Sequence, residues 1–272
     1  MYSFDVERTL PPLRLSRSPL VYVVLQVRTA AVVSLERYIP EIQESLRRSG
    51  FPKFIKGKIH EIKFEADTEP KSNTFDRFEF QSRNGRTGIV LSANAVALHT
   101  NDYQHFDEFL VTFEKALQLI NPVLSIEFAE RVGLRYVDLV RLADGEEFHQ
   151  YMTGNILGPD ASAFGVARSF SRFEMIGRSE VGTLAFRHWQ MSNGNFLPPD
   201  LLPSTLSHST VLKPEEVVSL LDFDHYAERQ LDFDIDQIKR LLWQLHDNLD
   251  RGFREVVTEF ARDKWGDSTV QV

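Results

Sequence analysis

The stretch IEFAERVGLRYVDLVRL, Ile126 to Leu142, alternates so regularly that it reads as one long β-strand. Ile126, Phe128, Val132, Leu134, Tyr136, Val140 and Leu142 share one parity, while Glu127, Arg131, Gly133, Arg135 and Arg141 share the other. A pleat sends the two sets to opposite faces. One face builds core, and the other holds Arg131 and Arg135 side by side, with Gly133 between them leaving room for something to approach the backbone closely.

Upstream, LVYVVLQVRT (Leu20 to Thr29) is rich in β-branched and aromatic residues and reads as a central strand. A helix follows: Ser34 is its expected N-cap, and Leu35, Tyr38, Ile39, Ile42 and Leu46 form an apolar stripe ending at Gly50, with Pro40 as a kink position. A strand with Ile59, Ile62 and Phe64 comes next, then an exposed loop from Ala66 to Thr74. Asp76 to Tyr103 reads as a β-meander whose first hairpin turns at Asn84-Gly85, a pair expected to form a type I′ turn. Phe106, Phe109, Phe113, Leu117 and Ile120 recur at helical spacing, and Asn121-Pro122 is expected to end that helix. The order to this point is β-α-β-β-β-β-α-β.

Downstream, a short helix is expected over Glu146 to Met152 and a second hairpin over Val166 to Ile176 and Val181 to Met191. This hairpin echoes the first: RFEFQSR (Arg77 to Arg83) and RFEMIGR (Arg172 to Arg178) align Arg, Phe, Glu and a second Arg. The loop carrying Phe196, Leu197, Leu201 and Leu202 among Pro198, Pro199 and Pro203 is long and apolar enough to cover part of the core or of a partner. Val217 to Tyr226 reads as a strand, and Ile235 to Trp265 as one long amphipathic helix with Gly252 as a kink or close crossing. Trp243, Trp265, Phe253 and Phe260 put large apolar area on that helix, which points to a homodimer through it, with burial inside one chain as the alternative.

Together these elements predict an α+β fold: mainly antiparallel sheets packed on one side by a few long amphipathic helices, arranged as two similar β-α subdomains or one continuous sheet. The expected division is an irregular lead-in over residues 1–18, an N-terminal subdomain over 19–143 and a C-terminal subdomain over 144–272.

Composition narrows the chemistry. The 272 residues are 42% hydrophobic and 26% charged, ordinary globular material. No apolar run approaches the roughly 20 residues that span a bilayer, and no charged-then-apolar leader is visible, so a cytoplasmic setting without membrane contact is expected. Cysteine is absent, which excludes disulfides, thiolate nucleophiles and cysteine-ligated metals. A formal net charge of −8 argues against general nucleic-acid binding. The chain has no GxSxG elbow, P-loop, HExxH or dinucleotide fingerprint. His149, His188, His208, His225 and His246 stand singly, without metal-site spacing. Asp222 and Asp224 alternate in LLDFDHY onto one face that reads as solvated. No metal and no organic cofactor is expected.

Two readings attach to the arginines, beside plain burial under a helix with no specific partner. Arg131 and Arg135, with Arg77, Glu79, Arg172 and Glu174 on the two hairpins, form either a structural Arg–carboxylate network across one sheet face or a site for a phosphate, carboxylate or acidic partner, with Asp138 orienting one guanidinium past a bulge in the strand.

AERVGLRYVDLV, with the upstream meander and the downstream LHDNLDRGFREVVTEF, resembles an uncharacterised, sporadically distributed prokaryotic family of about this length, marked by an Arg-x-Gly-Leu-Arg-Tyr strand followed by Ile or Val and then Asn or Asp. Arg131, Gly133, Leu134, Arg135, Tyr136 and Asp138 fill that pattern, with Asp138 where Asn is the more usual residue. The resemblance covers Leu20 to Gly266 and brings no catalytic residues with it. Its patchy distribution is like that of bacterial immunity and toxin–antitoxin genes. Three function classes stay open: a non-enzymatic interaction or regulatory protein, such as a neutralising or sensing component whose protein partner is a toxin or nuclease from a neighbouring gene; a nucleotide or nucleic-acid binder using the arginine face, with Tyr22, Tyr38 and Phe54 as stacking groups; and a carboxylate–histidine hydrolase, for which no spacing argues.

Overall fold

A computed structural model of the chain describes residues 13–63, 71–192, 195–208 and 210–267. Nine strands form one antiparallel sheet: β1 (Leu20–Thr29), β2 (Lys53–Lys63), β3 (Lys71–Gln81), β4 (Thr87–Ser92), β5 (Ala95–Thr100), β6 (Phe128–Arg141), β7 (Phe170–Arg178), β8 (Thr183–Ser192) and β9 (Val217–Asp232). Their spatial order is β2-β3-β4-β5-β1-β6-β9-β8-β7. The expected α+β class holds, with one continuous sheet.

Three long helices cover one face: α1 (Ile39–Arg48), α2 (Phe106–Leu124) and, after the short α3 (Phe148–Tyr151) and α4 (Gly154–Leu157), α5 (Ile235–Val256). Each presents an apolar stripe, such as Ile238, Leu241, Leu242, Leu245, Leu249 and Phe253 of α5, to Val23, Leu25, Val132, Leu134, Leu221 and Phe223 of the central strands. The opposite face is covered at its middle by the proline-rich loop. Leu197 and Leu206 are buried there with Tyr22, Val137, Leu139, Trp189, Val218 and Leu220. The central strands are therefore apolar at both parities, as strands covered on both sides must be.

The two halves repeat one topology. Outward from the β1–β6 seam, the sheet runs β1-β5-β4-β3 on one side and β6-β9-β8-β7 on the other. Register keeps the equivalence: Glu79 pairs with Val90, Val90 with Ala97 and Ala97 with Gln26, while Glu174 pairs with Arg187, Arg187 with Asp222 and Asp222 with Val137. Across the seam the pairs Tyr22–Val137, Val24–Arg135 and Gln26–Gly133 are symmetric about Val24 and Arg135. The RFEF and RFEM segments thus lie on equivalent strands, and β6 opens the second half instead of closing the first.

Several local expectations are corrected. Pro40 stands in the first turn of α1, where its missing N–H costs nothing, so it starts the helix and does not kink it; Leu35–Arg37 is a separate 3₁₀ turn, and Ser34 makes no side-chain cap. The first hairpin forms, but only Gly85 of its turn has positive φ, at 71°. Asn84 instead accepts from Ser82 Oγ and the Arg86 N–H at 2.7 and 3.0 Å, and the Gly85 N–H donates to the Ser82 carbonyl at 2.9 Å, so the turn is not type I′. Helix α2 runs through Pro122 and stops at Ser125 in the left-handed region. Phe64 and residues 66–70 of the expected loop lie outside the described residues, as do residues 1–12 of the lead-in; Lys71 to Thr74 belong to β3.

The expected C-terminal helix is two. Val257 is extended and bridges to Met152, and Thr258 caps a second helix, α6 (Glu259–Lys264), by accepting from the Ala261 N–H at 3.1 Å. Gly252 marks a close crossing, since a Cβ there would meet the Phe223 ring at 3.4 Å. Breaking the helix folds Trp265 back onto Phe253 and Tyr151, and both Phe253 and Trp265 are buried in the chain. Trp243 packs edge-on against Phe106 with 4.6 Å between ring centroids. The apolar area that motivated a homodimer is largely satisfied internally. Thr258→Ala removes the α6 cap and should lower stability by about 1 kcal/mol, measurable as a shift of a few degrees in a thermal melt; an unchanged melt would show that α6 is held by packing alone.

Candidate functional site

The loop-covered face holds the charged residues singled out in the sequence except Asp138, and all of these but Arg131 fall into two separate groups. Arg135 is clamped by Asp222 at 2.6 and 2.8 Å and by Asp200 at 2.5 and 3.1 Å. Arg187 joins Asp222 at 3.2 Å and Glu174 at 2.8 Å, and Glu174 also pairs with Arg172. Asp222 is fully buried, where the sequence alone placed it on a solvated face, while the Asp200 side chain is 65% exposed. Water screens the Asp200 pair, so the Arg135–Asp222 pair dominates the energetics. Burial works against the Arg135 charge, but its bonds to both carboxylates outweigh that and push the guanidinium further up.

The second group centres on Glu79, which is buried, accepts from Gln81 at 2.7 Å, His99 Nε2 at 3.1 Å and Thr205 Oγ1 at 2.5 Å, and forms an ion pair with Arg77 at 2.6 Å. Burial alone would raise the Glu79 carboxyl, yet His99, Thr205 and Gln81 hold it down at about 2. With Glu79 ionised, His99 Nε2 donates to it, and Nδ1 is hydrogen-bonded to the Tyr22 hydroxyl at 2.9 Å. Arg131 joins neither group: it stacks on Tyr226, with the guanidinium 4.1 Å from the ring centroid, donates to Gln26 at 3.1 Å and lies 3.8 Å from Asp224 and Glu228.

Asp138 is not with the arginines. It has the parity of Tyr136, and the irregularity near it falls in β1, between Leu20 and Tyr22, so β6 never flips its faces there. Asp138 therefore lies under the helices, cannot orient Arg131 or Arg135, and is 4% exposed. Among the described residues its carboxyl makes no hydrogen bond or ion pair, and its oxygens are open to the space beside them instead of fully enclosed.

The Asp138 carboxyl borders a cavity of about 620 Å³ between the sheet, α5 and the strap Leu13 to Ser18. That volume suits a small organic ligand. The strap is fastened by the Arg17 N–H donating to the Trp265 carbonyl at 2.9 Å and by a bridge from Leu15 to Asp267. Leu20, Phe223, Leu249 and Phe253 give the cavity apolar walls. Tyr136 contributes a phenol that meets the Tyr103 hydroxyl at 3.3 Å and His246 Nδ1 at 3.1 Å, and His246 stacks on Phe106. Burial raises both phenols, so they stay neutral. Asp250, also on the wall, is raised by burial although Arg254 lies 3.0 Å away. Burial, with a smaller push from Asp222, raises Asp138 to about 8.

Sequence reasoning reached Arg135, Arg77, Glu79, Arg172 and Glu174 as a set on one face, which is where they lie, but missed Asp200, Thr205, His99 and the wall residues Tyr103 and Asp250. Asp200 and Thr205 come from a loop remote in sequence, and nothing local marks them. Tyr136 and Asp138, two apart in β6, are neighbours on one face by parity alone. Among the described residues no cluster of three or more metal-ligating side chains occurs. His188 and His225 are buried and hydrogen-bonded, the first to the Ile156 carbonyl and Ser219, the second to the Leu245 carbonyl and Ser179.

No protein-family model matches the chain, and no curated protein does.

Two measurements check these assignments. Arg135→Met strips Asp222 of its main partner and should cost about 3 kcal/mol; a melting temperature that holds or rises would show that the face is not a closed ion-pair network. For Asp138, the folded chain keeps the proton to about pH 8 whereas an ordinary aspartate releases it near 3.8. The folded state then binds more protons across that window, so this residue lowers stability progressively as pH rises, by about 1.4 kcal/mol per unit at most. Asp138→Asn should flatten that part of the stability–pH curve and leave the variant more stable than the parent above neutral pH; superimposable curves would place the carboxyl in water.

Proposed function

We propose that this chain is a non-enzymatic binding protein that senses a small molecule in the cavity over Asp138. The observation that carries the reading is the unpartnered, buried Asp138 carboxyl facing a cavity of ligand size. A lone carboxyl in an apolar setting destabilises the protein that holds it, and a ligand that completes its hydrogen bonds returns that free energy as affinity. The arginine face lends little support to the alternative of a nucleotide or nucleic-acid site, because the forks of Arg135 and Arg187 are already occupied by carboxylates.

Position favours sensing over mere capture. The cavity is bordered by the strap and by α5, elements from separate parts of the chain, so a ligand seated there would tie Leu13–Ser18, α5 and the sheet together. In the bacterial immunity or toxin–antitoxin setting that the family resemblance implies, the strap and the ends of α5 are what a protein partner would read.

The test is a thermal-shift screen of a metabolite library against the parent chain and Asp138→Asn. A ligand at 100 times its Kd adds about 2.7 kcal/mol, which should raise the melting temperature by several degrees in the parent and by much less in the variant. A library without a single Asp138-dependent hit would defeat the reading.

A further inference from the structure

Resting on the pocket reading above, we infer that the ligand is an organic cation, an amine or guanidinium on a compact apolar or aromatic body, whose charge pairs with Asp138. The groups around the cavity divide by depth. Asp138, 4% exposed, and Asp250, whose side chain is 14% exposed, line its more buried part, and the Tyr103 and Tyr136 phenols feel both carboxyls. The other titratable groups lining this part of the cavity are Tyr103 before α2, Tyr136 on the same strand as Asp138, and His246 and Asp250 on α5, the last paired with Arg254 at 3.0 Å. None of the lining groups there is a lysine or arginine.

Among the described residues that line the cavity, cations occur only at the outer edge. Arg14 and Arg17 lie exposed on the strap, where salt screens them over about 8 Å. Arg86 is matched by Asp102 at 3.2 Å. The desolvated pole decides selectivity, because charge interactions strengthen where water is excluded. An anion placed there meets the Asp138 carboxyl with no cation acting on it, Asp250 being already matched by Arg254, and a neutral guest gains one ordinary hydrogen bond. A cation converts Asp138 to carboxylate and gains a charge-assisted bond, with Phe223, Tyr136 and Phe253 as aromatic walls that tolerate positive charge. Since Asp138 titrates near 8, ionising it at neutral pH costs the complex only about tenfold in affinity.

This pairing has a signature that other ligand classes lack. When a charged amine binds the protonated pocket, the Asp138 O–H bond breaks, its electron pair stays on the carboxylate, and the proton leaves to buffer. Isothermal titration calorimetry on the full chain near neutral pH, in phosphate and in Tris, would use four probes: 2-phenylethylamine, agmatine, adenosine monophosphate and the neutral isostere 2-phenylethanol. The expected result is binding of 2-phenylethylamine or agmatine with release of close to one proton, tightening more than tenfold from about pH 6 to about pH 8. Asp138→Asn, checked by its melt to be folded, should weaken that binding at least tenfold. Adenosine monophosphate or 2-phenylethanol binding in an Asp138-dependent way without proton release would overturn the cation assignment while leaving the pocket reading intact. Failure of both cations at millimolar concentration would overturn it as well, and the library screen then decides whether the pocket reading falls too.

Discussion

Arg135 and Asp222 constrain everything around them, because neither can be buried without the other. They occupy the two most central strands of the second half, β6 and β9, at positions where the sheet has protein on both faces. An unpaired charge there would cost several kcal/mol. The pair requires a dry lid, and the lid is the loop that supplies Leu197 and Leu206 as apolar cover, Thr205 to Glu79 and Asp200 to the remaining Arg135 donors. Once this face is sealed by loop and ion pairs, the helices are left to the other face, where a deeper layer can form around a cavity. The charged face is thus the scaffold that lets the opposite face be incomplete.

The parts of this architecture that are legible in the sequence are those whose signal is local. The strand order along the chain, the two hairpins, the helical stripes and the shared parity of Arg131 and Arg135 are encoded within a few residues of where they act, and they hold. The misreadings are all places where a distant part of the chain, or a side chain just outside the motif, overrides a local rule. Asn84-Gly85 is turned away from type I′ by side-chain bonds to Ser82 and Arg86. The C-terminal helix breaks at Val257 because Met152 offers that residue a strand-like bridge and Thr258 can cap α6. The bulge expected to carry Asp138 to the arginine face lies in the partner strand, so strict parity from Tyr136 is the better guide. The loop partners Asp200 and Thr205, more than 60 residues from Arg135 and more than 120 from Glu79, carry no local mark at all.

The topological repeat explains why chemistry concentrates in one half. At equivalent positions Arg135 corresponds to Val24, Asp222 to Ala97 and Arg187 to Val90, so the first half builds with apolar residues what the second builds with an ion-pair network. Only the Arg-x-Glu element is common, Arg77–Glu79 in β3 and Arg172–Glu174 in β7, and each glutamate recruits a different further partner, His99 in one case and Arg187 in the other. By the same register Asp138 corresponds to Val27, a fully buried aliphatic residue. The fold therefore tolerates an apolar side chain at that place in the sheet, and the carboxylate is not a requirement of the architecture.

That contrast separates the two buried polar sites. On one face Arg135 and Asp222 answer each other within the chain, with Asp200, Arg187 and Glu174 extending the network. On the other, a single carboxyl is raised to about 8 by burial with no cation to hold it down, beside a space that the chain's own side chains leave unfilled. A structural role would have produced the first arrangement at both places, since a partner arginine or a valine at residue 138 would each be more stable than the lone acid. An acid kept protonated near neutral pH is poised to change charge state when a cation arrives. Under the proposed reading, instability in the empty state is what a ligand would convert into affinity and specificity.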